Sequence, residues 1–176
     1  SNPQITALQD GGFVITWKDF TQGTGGASGD SSDGAIKAQV FDADGGKVSD
    51  EILVNTATQN DQHNPQIATL PNGGFVIAWE DNSQGVGGAS GDSSAGAIKA
   101  QAFDADGNKA GGEILVNTAT QNLQWNPQIS ALQNGGFAIT WLDESQGIGG
   151  ASGDLDERAA IANKNKADLF ICIHAN

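Results

Sequence analysis

Apolar residues alternate with polar ones along much of the chain, and this alternation predicts β-strands. Phe13, Ile15 and Trp17 fall on one face of a strand at residues 13–18, with Val14 on the other face. A shorter alternating run at 4–8 precedes it. The turn between them contains Asp10-Gly11, and such a pair supplies the positive φ that tight hairpins need. The pattern therefore predicts an antiparallel hairpin.

The next part of the chain extends this hairpin to four strands. A long loop rich in Gly and Ser at 19–34 leads into a third strand at 35–41. A turn with the sequence Asp-Ala-Asp-Gly at 42–45 and a fourth strand at 51–54 follow. The segment 55–63 then connects to a second copy of the whole arrangement.

The sequence repeats with a period of 62 residues, because Asn-Pro-Gln-Ile begins at Asn2, Asn64 and Asn126. We expect repeat unit 1 at 1–63, repeat unit 2 at 64–125, a partial unit 3 at 126–154 and a different tail at 155–176. Four short antiparallel strands with apolar residues on both faces predict an all-β fold of tandem, four-stranded, propeller-like blades. Such units bury their faces only against neighbours, so a single unit should not be stable alone.

Two complete units are too few to close a propeller ring, which usually takes at least about 4 blades. A ring built from several copies and a stack of open ends that grows into a filament are both compatible with the sequence. The chain begins at a repeat junction without Met or a signal peptide, so we interpret it as a processed chain or a fragment.

The pattern changes after Asp154. Asp154 and Glu157 have the spacing of a capping box, and Leu155, Ala159 and Ala162 recur at helical spacing. An apolar run at 167–173 follows. The tail therefore predicts a short helix followed by a strand, unlike the repeats.

Composition limits the class of partner. The chain has 8 Lys and Arg against 21 Asp and Glu, which gives a net charge of −13. This charge argues against nucleic acid and anionic membranes and permits cations and neutral glycans. The single cysteine, Cys172, excludes an internal disulfide framework, and no run reaches the ~18 apolar residues of a membrane helix.

The repeats resemble those of a known family. The strings NPQI, GGFVITW, FDADG and EILVN, within residues 2–154, are similar to tandem repeats of large secreted bacterial surface proteins that are often described as calcium-binding or adhesion-like. The resemblance implies a propeller-type module, located outside the cell or on its surface.

The tail LDERAAIANKNKADLFICIHAN resembles part of the zinc-dependent N-acetylmuramoyl-L-alanine amidases of the type-3 family. The resemblance implies that His174 corresponds to a zinc-binding histidine, and that Arg158, Ala162 and Asn163 correspond to positions on a helix. The family's other ligands and its general base have no counterpart here, and the only other histidine is His63. Zinc and amidase activity are therefore not expected of this chain.

Two sets of acidic residues are candidate binding sites. The turn residues could supply calcium with carboxylate oxygens, although Asp and Gly are also favoured in turns for backbone reasons, and the spacing is not that of an EF-hand. The loops that share GGASGD could present equivalent carboxylates to a glycan or cation, or could simply connect strands. The calcium candidates are Asp42, Asp44, Asp104 and Asp106, and the loop candidates are Asp30, Asp92 and Asp154.

The sequence as a whole predicts a non-enzymatic extracellular repeat module with a structural or adhesive role. Calcium is the candidate cation. Self-association through the repeat ends would polymerise the module into filaments. Two alternatives stay open: targeting repeats joined to the remnant of a peptidoglycan amidase, and a glycan-binding module. The recurring Trp17, Trp79 and Trp141 are expected in the core, because each shares a strand face with a preceding Phe and Ile.

Overall fold

The computed structural model describes residues 1–22, 27–30, 34–94, 96–118 and 120–144, and the backbone of strands at 156–163 and 167–171. Within this part of the chain the protein is all-β, with three antiparallel sheets. No helix that could cross a membrane occurs among the described residues.

The first two units each build one sheet, with neighbouring strands in chain order. The strands of sheet 1 are β1 (Gln4–Ala7), β2 (Phe13–Asp19), β3 (Ala35–Phe41) and β4 (Ile52–Leu53). The strands of sheet 2 are β5 (Gln62–Thr69), β6 (Phe75–Asp81), β7 (Ala97–Phe103) and β8 (Ile114–Leu115). The prediction of four antiparallel strands in each unit is confirmed.

The third sheet has the same antiparallel order, with strands β9 (Gln124–Ala131), β10 (Phe137–Asp143), β11 (Asp156–Asn163) and β12 (Ala167–Ile171). The predicted helix at the start of the tail is therefore wrong, because its residues form β11. β11 pairs with β10 from Asp143↔Asp156 to Phe137↔Ala162. It thus takes the position in sheet 3 that β3 takes beside β2 and that β7 takes beside β6. The unpaired N–H and C=O groups of β10 offer a strand partner, and this tertiary pairing outweighs a helical preference that is local and weak.

The first strands of units 2 and 3 begin earlier than the pattern predicts. β5 already starts at Gln62, inside the expected connecting segment, and its pairing shifts between His63 and Gln66. The shift accommodates Asn64, whose φ of 53° lies in the left-handed region that Asn tolerates better than most residues. The Asn-Pro pair therefore forms a bulge inside a longer strand.

The sheets stack face to face around two apolar clusters. In the first, Val14, Ala38 and Val40 of sheet 1 pack on sheet 2. In the second, the opposite face of sheet 2 packs on sheet 3. The residues that receive these contacts are Phe75, Ile77 and Trp79 in the first cluster, and Phe137, Ile139 and Trp141 in the second. Trp79 and Trp141 are buried as predicted, whereas Trp17 is only half-buried.

Candidate functional site: polar clusters repeated in two units

A buried lysine organises each of the first two units. Lys37 lies on β3 opposite Trp17, and its Nζ is 2.8 Å from Asp19 Oδ2 and 3.0 Å from Glu51 Oε1. Only 2% of Lys37 is exposed. We call this group, and the equivalent one 62 residues later, the lysine clusters.

The lysine cluster of unit 2 repeats this arrangement deeper in the molecule. Lys99 Nζ lies 3.3 Å from Asp81 Oδ1 and 3.3 Å from Glu113 Oε1. The side chains of all three residues are at most 2% exposed. Asp81 Oδ1 also accepts hydrogen bonds from the backbone N–H and the hydroxyl of Ser83. Each cluster thus places two carboxyl groups around one lysine.

Lys37 and Asp19 of the first cluster hold their charges. Burial opposes ionisation of Lys37, but hydrogen bonds to Asp19 and Glu51 outweigh it and raise the pKa of Lys37. Burial also works against the charge of Asp19, yet the hydrogen bonds from Lys37 and Thr21 keep its pKa below the ordinary range. Both partners are therefore charged at neutral pH.

The glutamates of the lysine clusters attach loops to the sheets. Glu51 Oε1 accepts a hydrogen bond of 2.8 Å from the backbone N–H of Ala27. Glu113 Oε1 accepts one of 2.9 Å from Ala89, and its Oε2 accepts one of 2.8 Å from Thr56. Because Thr56 belongs to unit 1, Glu113 also ties the two units together.

A second network holds the loop candidates Asp30 and Asp92. Asn55 Nδ2 donates to Asp30 Oδ2 at 2.6 Å and to Gln62 Oε1 at 3.1 Å, while its Oδ1 accepts from the N–H of Ile36. Asn117 makes the equivalent bond to Asp92, at 2.5 Å. Asp30 and Asp92 are 3% and 2% exposed. Both residues are buried, and their role as ligand residues stays a prediction.

The calcium candidates lie in the β-turns that follow β3 and β7. Asp42 Oδ1 accepts hydrogen bonds from the backbone N–H of Asp44 and of Gly46, at 3.0 Å and 2.6 Å. Asp104 Oδ1 accepts from Asp106 at 3.0 Å and from Asn108 at 2.8 Å.

In the exposed turn of unit 2, the hydrogen bond from the Asn108 side chain lowers the pKa of Asp104. The first Asp of each turn therefore stabilises the turn, and Asp44 and Asp106 enter it through their backbone. Calcium binding stays a prediction for these residues.

The acidic candidates among the described residues are separate carboxylates. No group of three His, Cys, Asp or Glu side chains there is arranged to hold a metal ion. Asp81 Oδ2 is a buried lysine-cluster oxygen with no hydrogen-bond partner in the described part of the chain. Asp154 and His174 lie outside the described residues, and Arg158, Ala162 and Asn163 fall on strand β11.

One charged pair occurs in unit 2 only, so looking for residues that recur every 62 positions does not reveal it. His63 Nε2 on β5 lies 2.7 Å from Glu80 Oε2 on β6. Glu80 Oε1 accepts hydrogen bonds from Asn64 Nδ2 at 2.8 Å and from the N–H of Asn126 in sheet 3, at 2.7 Å. The pair therefore sits at the junction of sheets 2 and 3. The other units have no charged pair at this place: Ser1 and Lys18 occupy it in unit 1, and Trp125 and Leu142 in unit 3.

The two partners shift each other's titration. The hydrogen bond to Glu80 raises the pKa of His63, against the effect of burial. Burial works to raise the pKa of Glu80, but the hydrogen bonds from His63, Asn64 and Asn126 outweigh it and lower that pKa.

A scan of protein-family models finds no match to this chain, and a search of curated proteins finds none either. The likeness to secreted surface repeats and the likeness of the tail to amidases therefore stay sequence-based predictions.

Proposed function

We propose that this chain is a non-enzymatic structural repeat module that acts outside the cell, in an adhesive or load-bearing surface. The observation that supports this proposal best is the recurrence of the lysine clusters and the asparagine networks in units 1 and 2. The buried acidic side chains that repeat along the chain bind loops and neighbouring units to the sheets. Such a use of charge suits a scaffold.

The proposal extends to architecture and assembly. The strand order within each sheet and the face-to-face stacking support sheets that act as propeller-like blades. We further propose calcium as a stabilising cation and self-association through the repeat ends, which would polymerise the chain. The acidic turns and the buried Oδ2 atom of Asp81 are the groups from which calcium binding would be tested.

An assay on peptidoglycan separates the structural proposal from its enzymatic alternative. The purified chain, with and without added zinc, is incubated with peptidoglycan, and released stem peptides are quantified by mass spectrometry. The structural proposal predicts no release above buffer in either condition. Zinc-dependent release that a His174→Ala variant loses would overturn it and establish the amidase alternative.

Calcium is tested by thermal unfolding with calcium and with a chelator. If calcium stabilises the fold, the midpoint rises with calcium by mass action, and Asp104→Asn or Asp81→Asn locates the site. The exposed Asp50→Asn variant is the matched control. An unchanged midpoint in all variants would remove calcium from the proposal while leaving the structural role standing.

A further inference from the structure

Sheet 1 carries an apolar surface that no described residue covers. The apolar part of this open face of sheet 1 is formed by Ile5, Phe13, Ile15, Trp17 and Phe41, which share one side because Ile5 pairs with Ile15 and Phe13 pairs with Phe41. The buried Lys37 and Gln39 lie on the same side, opposite Trp17 and Ile15. Ile5 is 67% exposed, and Phe13, Ile15 and Trp17 are only half-buried.

The same surface is fully covered in sheet 2. Phe75, Ile77 and Trp79, the equivalents of Phe13, Ile15 and Trp17, are 0% exposed. The two faces are built alike. The rings of Phe13 and Phe41 stack with centroids 4.9 Å apart and planes 12° from parallel, as do those of Phe75 and Phe103. The open face therefore already has the geometry that its counterpart uses for packing.

Both internal interfaces show what such a face packs against. In each, the large side chains of one sheet meet smaller residues on the preceding sheet, such as Val14 and Ala38, or Val76 and Ala78. Sheet 3 presents the corresponding surface on its outer side. This far face of sheet 3 includes Ala138, Thr140 and Leu142, which are half-buried or exposed. Their exposed partners on β9, which share the same side, are Ser130, Gln128 and Trp125.

Two polar residues at the edge of sheet 1 recur in unit 3. Asn2 Nδ2 donates to Asn64 Oδ1 at 2.9 Å across the first interface, and Gln9 Nε2 donates to the carbonyl of Pro71 at 2.9 Å. Their equivalents in unit 3 are Asn126 and Gln133. A sheet 1 stacked beyond sheet 3 would meet the same amide donors that sheet 1 itself offers to sheet 2.

We propose that a second copy of this chain docks the far face of its sheet 3 on the open face of sheet 1. This inference rests on the proposed structural role and specifies how the ends associate. A symmetric contact between two open faces would oppose Trp17 to Trp17, whereas both internal interfaces pair large residues with small ones. Because the two surfaces differ, the contact is head-to-tail and leaves a free surface at each end for further copies.

Analytical ultracentrifugation of the full chain over a concentration series tests the contact. The mass of the unmodified chain should rise from 18.0 kDa to at least double that value. Ile15→Lys blocks the open face and Thr140→Arg blocks the far face, so each variant alone should stay monomeric. An equimolar mixture retains one intact surface of each kind and should form dimers that grow no further. Val86→Lys, an exposed position in a loop, is the control and should associate as the unmodified chain does.

Three results would overturn the proposal. These are a folded, monomeric unmodified chain at every concentration, a Thr140→Arg variant that still dimerises alone, and a Val86→Lys variant that fails to associate. Tryptophan near-UV circular dichroism checks folding. If Ile15→Lys unfolds, Ile5→Lys replaces it, because most of the Ile5 side chain is already outside the core. A folded monomer that releases no stem peptides would reject this contact and leave the structural role intact.

Discussion

Lys37 and Lys99 occupy polar positions of an alternating strand, yet both are buried. Each extends from the third strand of its sheet to two carboxylates that come from different segments. Burying an ammonium without partners would cost several kcal/mol, so the fold requires the carboxylates. The lysine therefore determines where the end of the second strand and the start of the fourth strand lie.

We expect Lys99→Met to destabilise the protein by about 3–5 kcal/mol, because it leaves Asp81 and Glu113 buried without their counter-charge. Denaturant unfolding monitored by tryptophan fluorescence measures the change. Lys47→Met, at an exposed position, is the matched control and should stay within about 0.5 kcal/mol of the unmodified chain. Equal effects of the two substitutions would show that the lysine cluster contributes nothing specific.

His63 gives the protein a pH dependence with a definite sign. The pKa of His63 is raised in the folded state. Its contribution to the free energy of unfolding is therefore complete below the ordinary pKa of about 6.5, and it is lost as pH rises through the folded-state pKa. The pKa of Glu80 is lowered, so its contribution is present above about 4.3 and is lost as pH falls through the folded pKa. The pair should stabilise the protein most in the mildly acidic range between these limits.

Comparison of the unmodified chain with His63→Gln tests this. The difference in the free energy of unfolding should be largest in mildly acidic buffer, and should shrink toward both higher and lower pH. Unfolding is measured in steps from about pH 4 to 9. In Glu80→Gln, as in His63→Gln, the free energy of unfolding should vary less with pH than in the unmodified chain. A difference between variant and unmodified chain that does not change with pH would contradict the assignment.

At the scale of elements, β6 and β2 form a natural matched pair. Their sequences, FVIAWED and FVITWKD, are nearly the same, and both are flanked by two strands in their own sheets. Every residue of β6 is buried because sheet 2 is covered on both faces, whereas β2 has one open face. The two strands therefore differ in packing far more than in sequence.

We expect backbone amides of β6 and β7 to exchange with deuterium more slowly than those of β2, because solvent reaches β2 after smaller openings of the structure. Mass spectrometry of peptides from a dilute sample distinguishes the two strands by their sequences. Protection of β2 equal to that of β6 in dilute solution would mean that the open face is covered within a single chain.

The strands of units 1 and 2 could be predicted because alternation and turn residues are local signals that occur twice. β11 could not, since its local sequence favours a helix and only the edge of β10 selects a strand. The Asn-Pro bulge in β5 was likewise not predicted, because the alternating pattern placed the first strand of each unit after the proline.

Among the functional candidates, the lysine clusters escaped prediction because their members are distant in sequence. The repeated Ala-Ile-Lys-Ala-Gln, with a lysine inside an apolar strand, was the available signal. Asp30 and Asp92 were identified as recurring residues, but only the structure reveals that asparagines hold them.

At the scale of the molecule, neither of the first two units has a core of its own. The first apolar cluster joins sheets 1 and 2, and the second joins sheets 2 and 3. Stability is therefore a property of pairs of sheets, as in other repeat proteins.

A fragment of residues 1–63 should be unfolded, because its Val14, Ala38 and Val40 lose the aromatic surface of sheet 2. A fragment of residues 1–125 retains the complete first cluster and should unfold cooperatively. Far-UV circular dichroism with a denaturant titration compares them. Cooperative unfolding of the single unit would show that the interface is dispensable.

The two internal interfaces use the same pair of surfaces, large residues on one sheet and small ones on the sheet before it. Deleting unit 2 as a whole would therefore bring the small residues of sheet 1 against Phe137, Ile139 and Trp141, which are the same residue types that sheet 1 meets now. Duplicating unit 2 would create a further interface of the same kind. A gene with this repeat can thus gain or lose 62 codons by unequal recombination and keep the apolar contacts between neighbouring sheets, so the number of sheets is free to vary while these contacts are conserved.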